Sequence, residues 1–144
     1  MTSKPNNVIS IPCSLDKTFF RLWMEFLLPY HHMTSREMDV AAGFLQKWYE
    51  LSKCITDDDI INRMLFSVET KREIQIETGM EYKNMAVVIS NLKSRNFIIK
   101  ASDRKDHDKL NPRFIPRISD DKNHKLLILF NFDDSRSSSK RDSE

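Results

Sequence analysis

Glycine is nearly missing from this sequence: Gly43 and Gly79 are the only two among 144 residues. Loops that lay backbone amides against a phosphate need several closely spaced glycines, so P-loop and dinucleotide-binding enzymes are excluded. Cysteine is equally sparse. Cys13 and Cys54 stand far apart with no CxxC spacing, which argues against a disulfide framework and a cysteine zinc site and favours a reducing compartment. Long apolar runs are absent as well, since the stretch 19–30 is broken by Arg21 and Glu25 and is too short to span a bilayer. The first residues lack the charged start, apolar run and small-residue cleavage site of a secretory signal, so a cytoplasmic protein without a membrane span is expected. Nor does one sign of charge dominate. Lys and Arg number 23 against 21 Asp and Glu, a net of +2, so any surface for a polyanion must be local.

A chain of this length fits one domain and can bury a sizeable core without a disulfide or a metal. Residues 1–7 are polar, include Pro5 and read as a flexible leader. A single domain is expected over 8–132, beginning with a short edge strand at 8–13. The stretch 133–144 carries five serines, mixed charge and no apolar residue, the composition of a disordered tail.

Within the domain the pattern is mainly helical. Phe19, Phe20, Trp23, Phe26 and Leu27 recur at helical intervals, and Pro29 is expected to stop them. Thr34 and Glu37 have the spacing of a capping box, with Met33 and Met38 at the two staple positions. The helix that starts there should reach about Lys53, with Met38, Ala41, Ala42, Leu45, Trp48 and Tyr49 on one face. Asp57, Asp58 and Asp59 precede Ile60, Ile61, Met64 and Leu65. Their charges suit the positive end of a short helix, whereas a calcium loop would need alternating ligands and a glycine. Ser67 can cap a helix that ends at Gly79, and another should run from Tyr82 to about Ser94. Strands are expected at 97–100 and 126–132, with a charged excursion between them that holds Pro112 and Pro116 and a short strand over 113–118.

Two short helices joined by a glycine-containing turn form a helix-turn-helix. The segment ETKREIQIETGMEYKNMAVVISNLKSRNF, 69–97, resembles the core of winged-helix DNA-binding proteins. Ile74, Met80, Met85 and Val88 match positions that pack its two helices together, and Gly79 matches the turn. Gln75 departs from the pattern, standing where a small residue usually permits close approach. The longer pattern over 33–132, including TSREMDVAAGFL, LNPRFIP and LLILFNF, is similar to small proteins of tailed-phage genomes. The resemblance implies an α+β fold, mainly helical, a winged helix-turn-helix with a C-terminal β-hairpin. It also implies that the second helix of the motif enters the major groove of double-stranded DNA while the wing meets the flanking backbone.

On that reading the outward residues Lys83, Asn84, Val87, Ser90, Asn91, Lys93 and Arg95 contact DNA, and Arg113, Arg117, Lys122 and Lys125 make the wing basic. The stretch 81–100 carries a local net of +3, which suits phosphate contact. Asn84 and Asn91 have amides that can pair with adenine edges, although an exposed helical Asn can equally be just solvated. Asp103, Asp106, Asp108, Asp120 and Asp121 offset much of the wing's charge.

Other chemistry has less behind it. His31 and His32 could hold a metal with a third ligand from Cys13, Cys54, His107 or His124, yet adjacent side chains in a loop diverge and no zinc spacing recurs. No strained nucleophile turn or acid–base pair stands out, so a non-enzymatic protein without cofactor is expected. Trp23, Phe26, Trp48 and Tyr49 could stack on bases but more simply build the core. The 34–53 helix could serve as the seam of a homo-oligomer. Two functions follow. One is a DNA-binding transcription regulator or replication accessory in the cytoplasm of a bacterial host; the other is a structural virion or connector component that uses the same fold to assemble with phage proteins. Removing the cap acceptor with Thr34→Ala should cost about 1 kcal/mol of folding stability in urea titration.

Overall fold

Side-chain caps set where four of the described α-helices begin. The computed structural model describes residues 16–116, the side chain of Lys17 excepted. Asp16 accepts from the Thr18 amide at 2.8 Å and opens α1, Lys17–Phe26. Thr34 opens α3, Ser35–Ser52, with both arms of the expected capping box formed: the Glu37 amide donates to Thr34 Oγ1, and the Thr34 amide to Glu37 Oε1. Asp57 caps α4, Asp58–Leu65, so the acidic triplet lies at the positive end of a helix dipole. Ser67 caps α5, Val68–Thr78, which Gly79 closes with φ +67°, a left-handed conformation that glycine adopts without steric cost. Helix α6 runs from Tyr82 to Ser94 and is followed by Asn96 at φ +63°, where the Phe97 amide donates back to the Leu92 carbonyl.

Pro29 does not end the first helical stretch. That stretch stops at Phe26, and Pro29 falls in the first turn of a separate one-turn helix, α2, Leu28–His31, where its missing amide costs nothing. After α6 the chain forms β1, Ile98–Ile99, which pairs antiparallel with β2, Lys109–Leu110, with Ile98 opposite Leu110. The described hairpin therefore closes inside the stretch expected to be an irregular excursion. The short strand expected over 113–118 is also replaced, as far as it is described, by a 3-10 turn at Pro112–Phe114 that Asn111 caps. A proline at its start and an Asx cap favour a turn over a ladder. The leader at 1–7, the strands expected at 8–13 and 126–132, and the tail at 133–144 lie outside the described residues.

The protein is thus mainly helical with a small two-stranded antiparallel sheet. Its centre is α3, on which α1, α4, α5 and α6 all pack. Residues 37–45 of α3, apart from Asp39, are buried on every side, so this part of the helix is an enclosed spine, whereas Trp48 and Tyr49 further along it are only half-buried. The positions expected to join the two motif helices face inward, since Ile74, Met85 and Val88 are buried and Met80 is half-buried. Yet α5 and α6 pack chiefly on α3 and little on each other. The small residue of the close approach lies on α3: a Cβ on Gly43 would stand 3.0 Å from Ile74 Cγ2. Gln75 therefore needs no small substitute.

The sheet is tied to the helices by polar contacts. Asn62, buried on α4, donates to the Asp58 carbonyl at 2.9 Å and accepts from the Leu110 amide at 2.9 Å. Trp23 of α1 donates from Nε1 to the Phe114 carbonyl at 2.8 Å. Among the described residues no helix is long and apolar enough to cross a membrane. Replacing Asn62 with Ala strands a buried amide, and the loss should be about 2 kcal/mol of folding stability, with faster hydrogen exchange at Leu110.

Candidate nucleic-acid interface

The spacing of α6 places Lys83, Asn84, Val87, Ser90 and Asn91 along one stripe, and all five are exposed. Tyr82 and Ala86 extend the same open surface. Met85, Val88 and Leu92 hold the opposite face in the core and fix the stripe's orientation.

The two cations expected at the C-terminal end of α6 behave differently. Lys93 is half-buried and pairs with Asp108 at 3.2 Å. Arg95 is turned inward: its Nε meets Glu37 Oε1 at 3.0 Å and its Nη1 donates to the His31 carbonyl at 3.3 Å. Glu37 is only 2% exposed, and without the guanidinium its carboxylate would be a buried charge with no counterion. Both residues were expected to contact DNA. Within the fold, Arg95 clamps the end of α6 to the start of α3, and Lys93 braces the hairpin loop.

Next to this clamp sits His31, buried beneath α1 and α3. Its Nε2 donates to the Met24 carbonyl at 2.7 Å, while Nδ1 accepts from the Met33 amide at 2.9 Å. Both ring nitrogens are occupied by backbone, so His31 is not half of a metal pair with the exposed His32. Burial, aided by the Arg95 charge, lowers the His31 pKa from its ordinary value, although the Met24 hydrogen bond opposes this. Two of the acidic triplet are likewise engaged, with Asp57 capping α4 and Asp59 meeting Arg63 at 3.3 Å and His107 at 3.2 Å.

The loop between β1 and β2 spans 100–108 and is held by its own aspartates. Asp108 accepts from the Ala101 amide, Asp106 from the Ser102 amide and hydroxyl, and Asp103 from the Lys105 and Asp106 amides. Donation from the Ser102 amide, helped by the His107 amide and the Ser102 hydroxyl, holds the Asp106 carboxyl well below the usual carboxylate range. Lys100, Arg104 and Lys105 are exposed around these turns. Sequence reasoning counted Lys100 in the local charge of 81–100 but missed Arg104 and Lys105, because it sought the basic residues of the hairpin further along the chain. The signal that could have found them is the run of Asp and Ser residues with Asx-turn spacing at 102–108. Arg113 is exposed within the 3-10 turn, while Arg117, Lys122 and Lys125 lie outside the described residues.

The aromatic residues divide between core and surface. Trp23, Trp48 and Tyr49 pack half-buried against the core, whereas Phe26 is exposed. Comparison with family models, curated proteins and solved structures gives no match for this chain.

Two outcomes follow from this geometry. Arg95→Ala should lower folding stability by about 2–4 kcal/mol in urea titration, because it leaves Glu37 buried and unpaired, whereas Lys83→Ala should change it by less than about 0.5 kcal/mol. The lowered His31 pKa contributes stability that is fully present above about pH 6.5 and is lost as pH falls from there through the folded-state value. A His31→Gln variant should therefore show a flatter stability profile than the native chain over that acidic range.

Proposed function

We propose that this chain is a non-enzymatic winged-helix protein that binds double-stranded DNA, acting as a phage or bacterial regulator or replication accessory. In this reading α6 is the helix laid in the major groove and the 100–108 loop is the wing on the flanking backbone. The observation that carries it is the Lys93–Asp108 bridge, which holds the 100–108 loop beside the C-terminal end of the exposed α6 stripe. Lys93 follows Ser90 by three positions, so the brace and the stripe are neighbours on the helix surface.

The arrangement supplies each kind of contact that duplex recognition uses. Asn84 and Asn91 present amides suited to adenine edges, and Val87 presents an apolar group suited to a thymine methyl. Lys83, Lys100, Arg104 and Lys105 form no ion pair among the described residues and are placed for phosphates. Arg36, at the first turn of α3, shares a shallow cleft with Asn84 and can add a backbone contact at the other end of α6.

A second reading rests on a different observation. Tyr82 is 78% exposed and Val87 59%, and Ile76 of α5 is 68% exposed, an apolar share that suits a virion or connector component docking on protein.

Fluorescence-anisotropy titration with duplex DNA at two salt concentrations separates the readings. Under the DNA reading, affinity falls steeply with salt, and replacing Lys83, Arg104 and Lys105 together with Gln reduces the logarithmic salt slope by about 3 without unfolding the domain. Salt-insensitive or undetectable duplex binding, with a large ring-like oligomer on sizing, rejects it in favour of assembly.

A further inference from the structure

Away from the α6 stripe, the described residues enclose a groove of about 740 Å³. Trp48 and Tyr49 of α3 form one wall, Ile99 and Leu110 of the sheet another, and Ile115 and Pro116 the end. No residue of α6 lines it. Asp58, Asp59 and Lys109 also line it; Asp59 meets Arg63 and His107 and Lys109 meets Asp106, while Asp58 has no ion pair among the described residues. An apolar trough of this size exposed to water is costly, and Ile99 remains 44% exposed within it.

We infer that this groove is the seat of the chain's own apolar run Leu126–Phe132, which covers Trp48, Tyr49 and Ile99 and brings Lys122 and Lys125 to Asp58. Reach is the first argument. Pro116 lines the groove, and nine residues separate it from Leu126, enough to span about 30 Å when extended. Composition is the second. The run reads LLILFNF, and in an extended segment alternate residues share a face, so Leu126, Ile128, Phe130 and Phe132 would present one continuous apolar edge. Charge is the third. Lys122, His124 and Lys125 immediately precede the run, and Asp58, which has no ion pair among the described residues, is a carboxylate of the groove that complements them. The seat is independent of the proposed DNA contacts, so either can fail without the other.

Hydrogen exchange on the full chain tests it. Amides of 126–132 should exchange roughly tenfold or more slowly than in a synthetic peptide covering 121–133. Ile99→Asp should abolish that protection and Ile99→Leu should preserve it, both in folded protein that retains protection at Leu92 and Phe97. Exchange of the run at the peptide rate, or protection unchanged by Ile99→Asp, overturns the assignment. Protection that disappears on dilution together with a dimeric mass on sizing also overturns it, because the run would then be seated on a second copy.

Discussion

A buried carboxylate next to a buried helix constrains most of this structure. Residues 37–45 of α3 run through the middle of the protein, and the stretch Ala41, Ala42 and Gly43 leaves room for helices to close on it from several sides. Glu37 begins that stretch. As the third residue of α3 it completes the capping box, so it cannot move to water without losing the cap. A carboxylate fixed in that position needs a cation, and Arg95 supplies it from the far end of α6. The orientation of α6 thus follows from a charge-pairing requirement set by α3, and the exposed stripe is the face left once Met85, Val88, Leu92 and Arg95 have been drawn inward.

What the sequence made legible has one physical property in common, which is locality. A capping box at 34–37, an Asp cap at 57, a Ser cap at 67 and a left-handed Gly79 are each decided by residues within four positions, and each stands as read. The span of α6 was legible for the same reason. Arg95 and Lys93 were not, because a cation's environment depends on partners that the fold delivers. Glu37 lies 58 residues away from Arg95, so no window of periodicity could reveal that it withdraws that cation from the surface. The sheet was obscure for a different reason. Strands of two residues have no alternation to detect, and β2 owes its existence to pairing with β1 and to the Asn62 anchor. The two glycines were half legible: Gly79 announced a turn, but Gly43 only acquires meaning from Ile74, which packs at the place where its side chain would be.

Counting charges also says little about how the 100–108 loop is built. Asp103, Asp106 and Asp108 read as neutralising the basic residues around them, yet their oxygens are committed to backbone amides inside the loop. Their negative charge remains and lowers the field at long range, while Lys100, Arg104 and Lys105 are exposed around them, as is Asp103. The same sorting applies across the protein. Arg21, Lys47, Lys93 and Arg95 each hold a carboxylate of another element, and they are components of the fold before they are components of any interface.

That sorting limits how a DNA-binding reading can work. Among the described residues, Lys83, Lys100, Arg104 and Lys105 as phosphate contacts would by themselves release about four counterions, a salt slope near 3.6. If these contacts acted alone, nonspecific affinity would be weak at physiological salt. The remainder would have to come from base edges and groove shape, that is from Asn84, Val87 and Asn91. Such a protein discriminates between sequences more than it adheres to all of them. Its exposed apolar groups then have a use in recognition: Val87, a poor choice for a merely solvated helix, is well suited to a methyl group on a base.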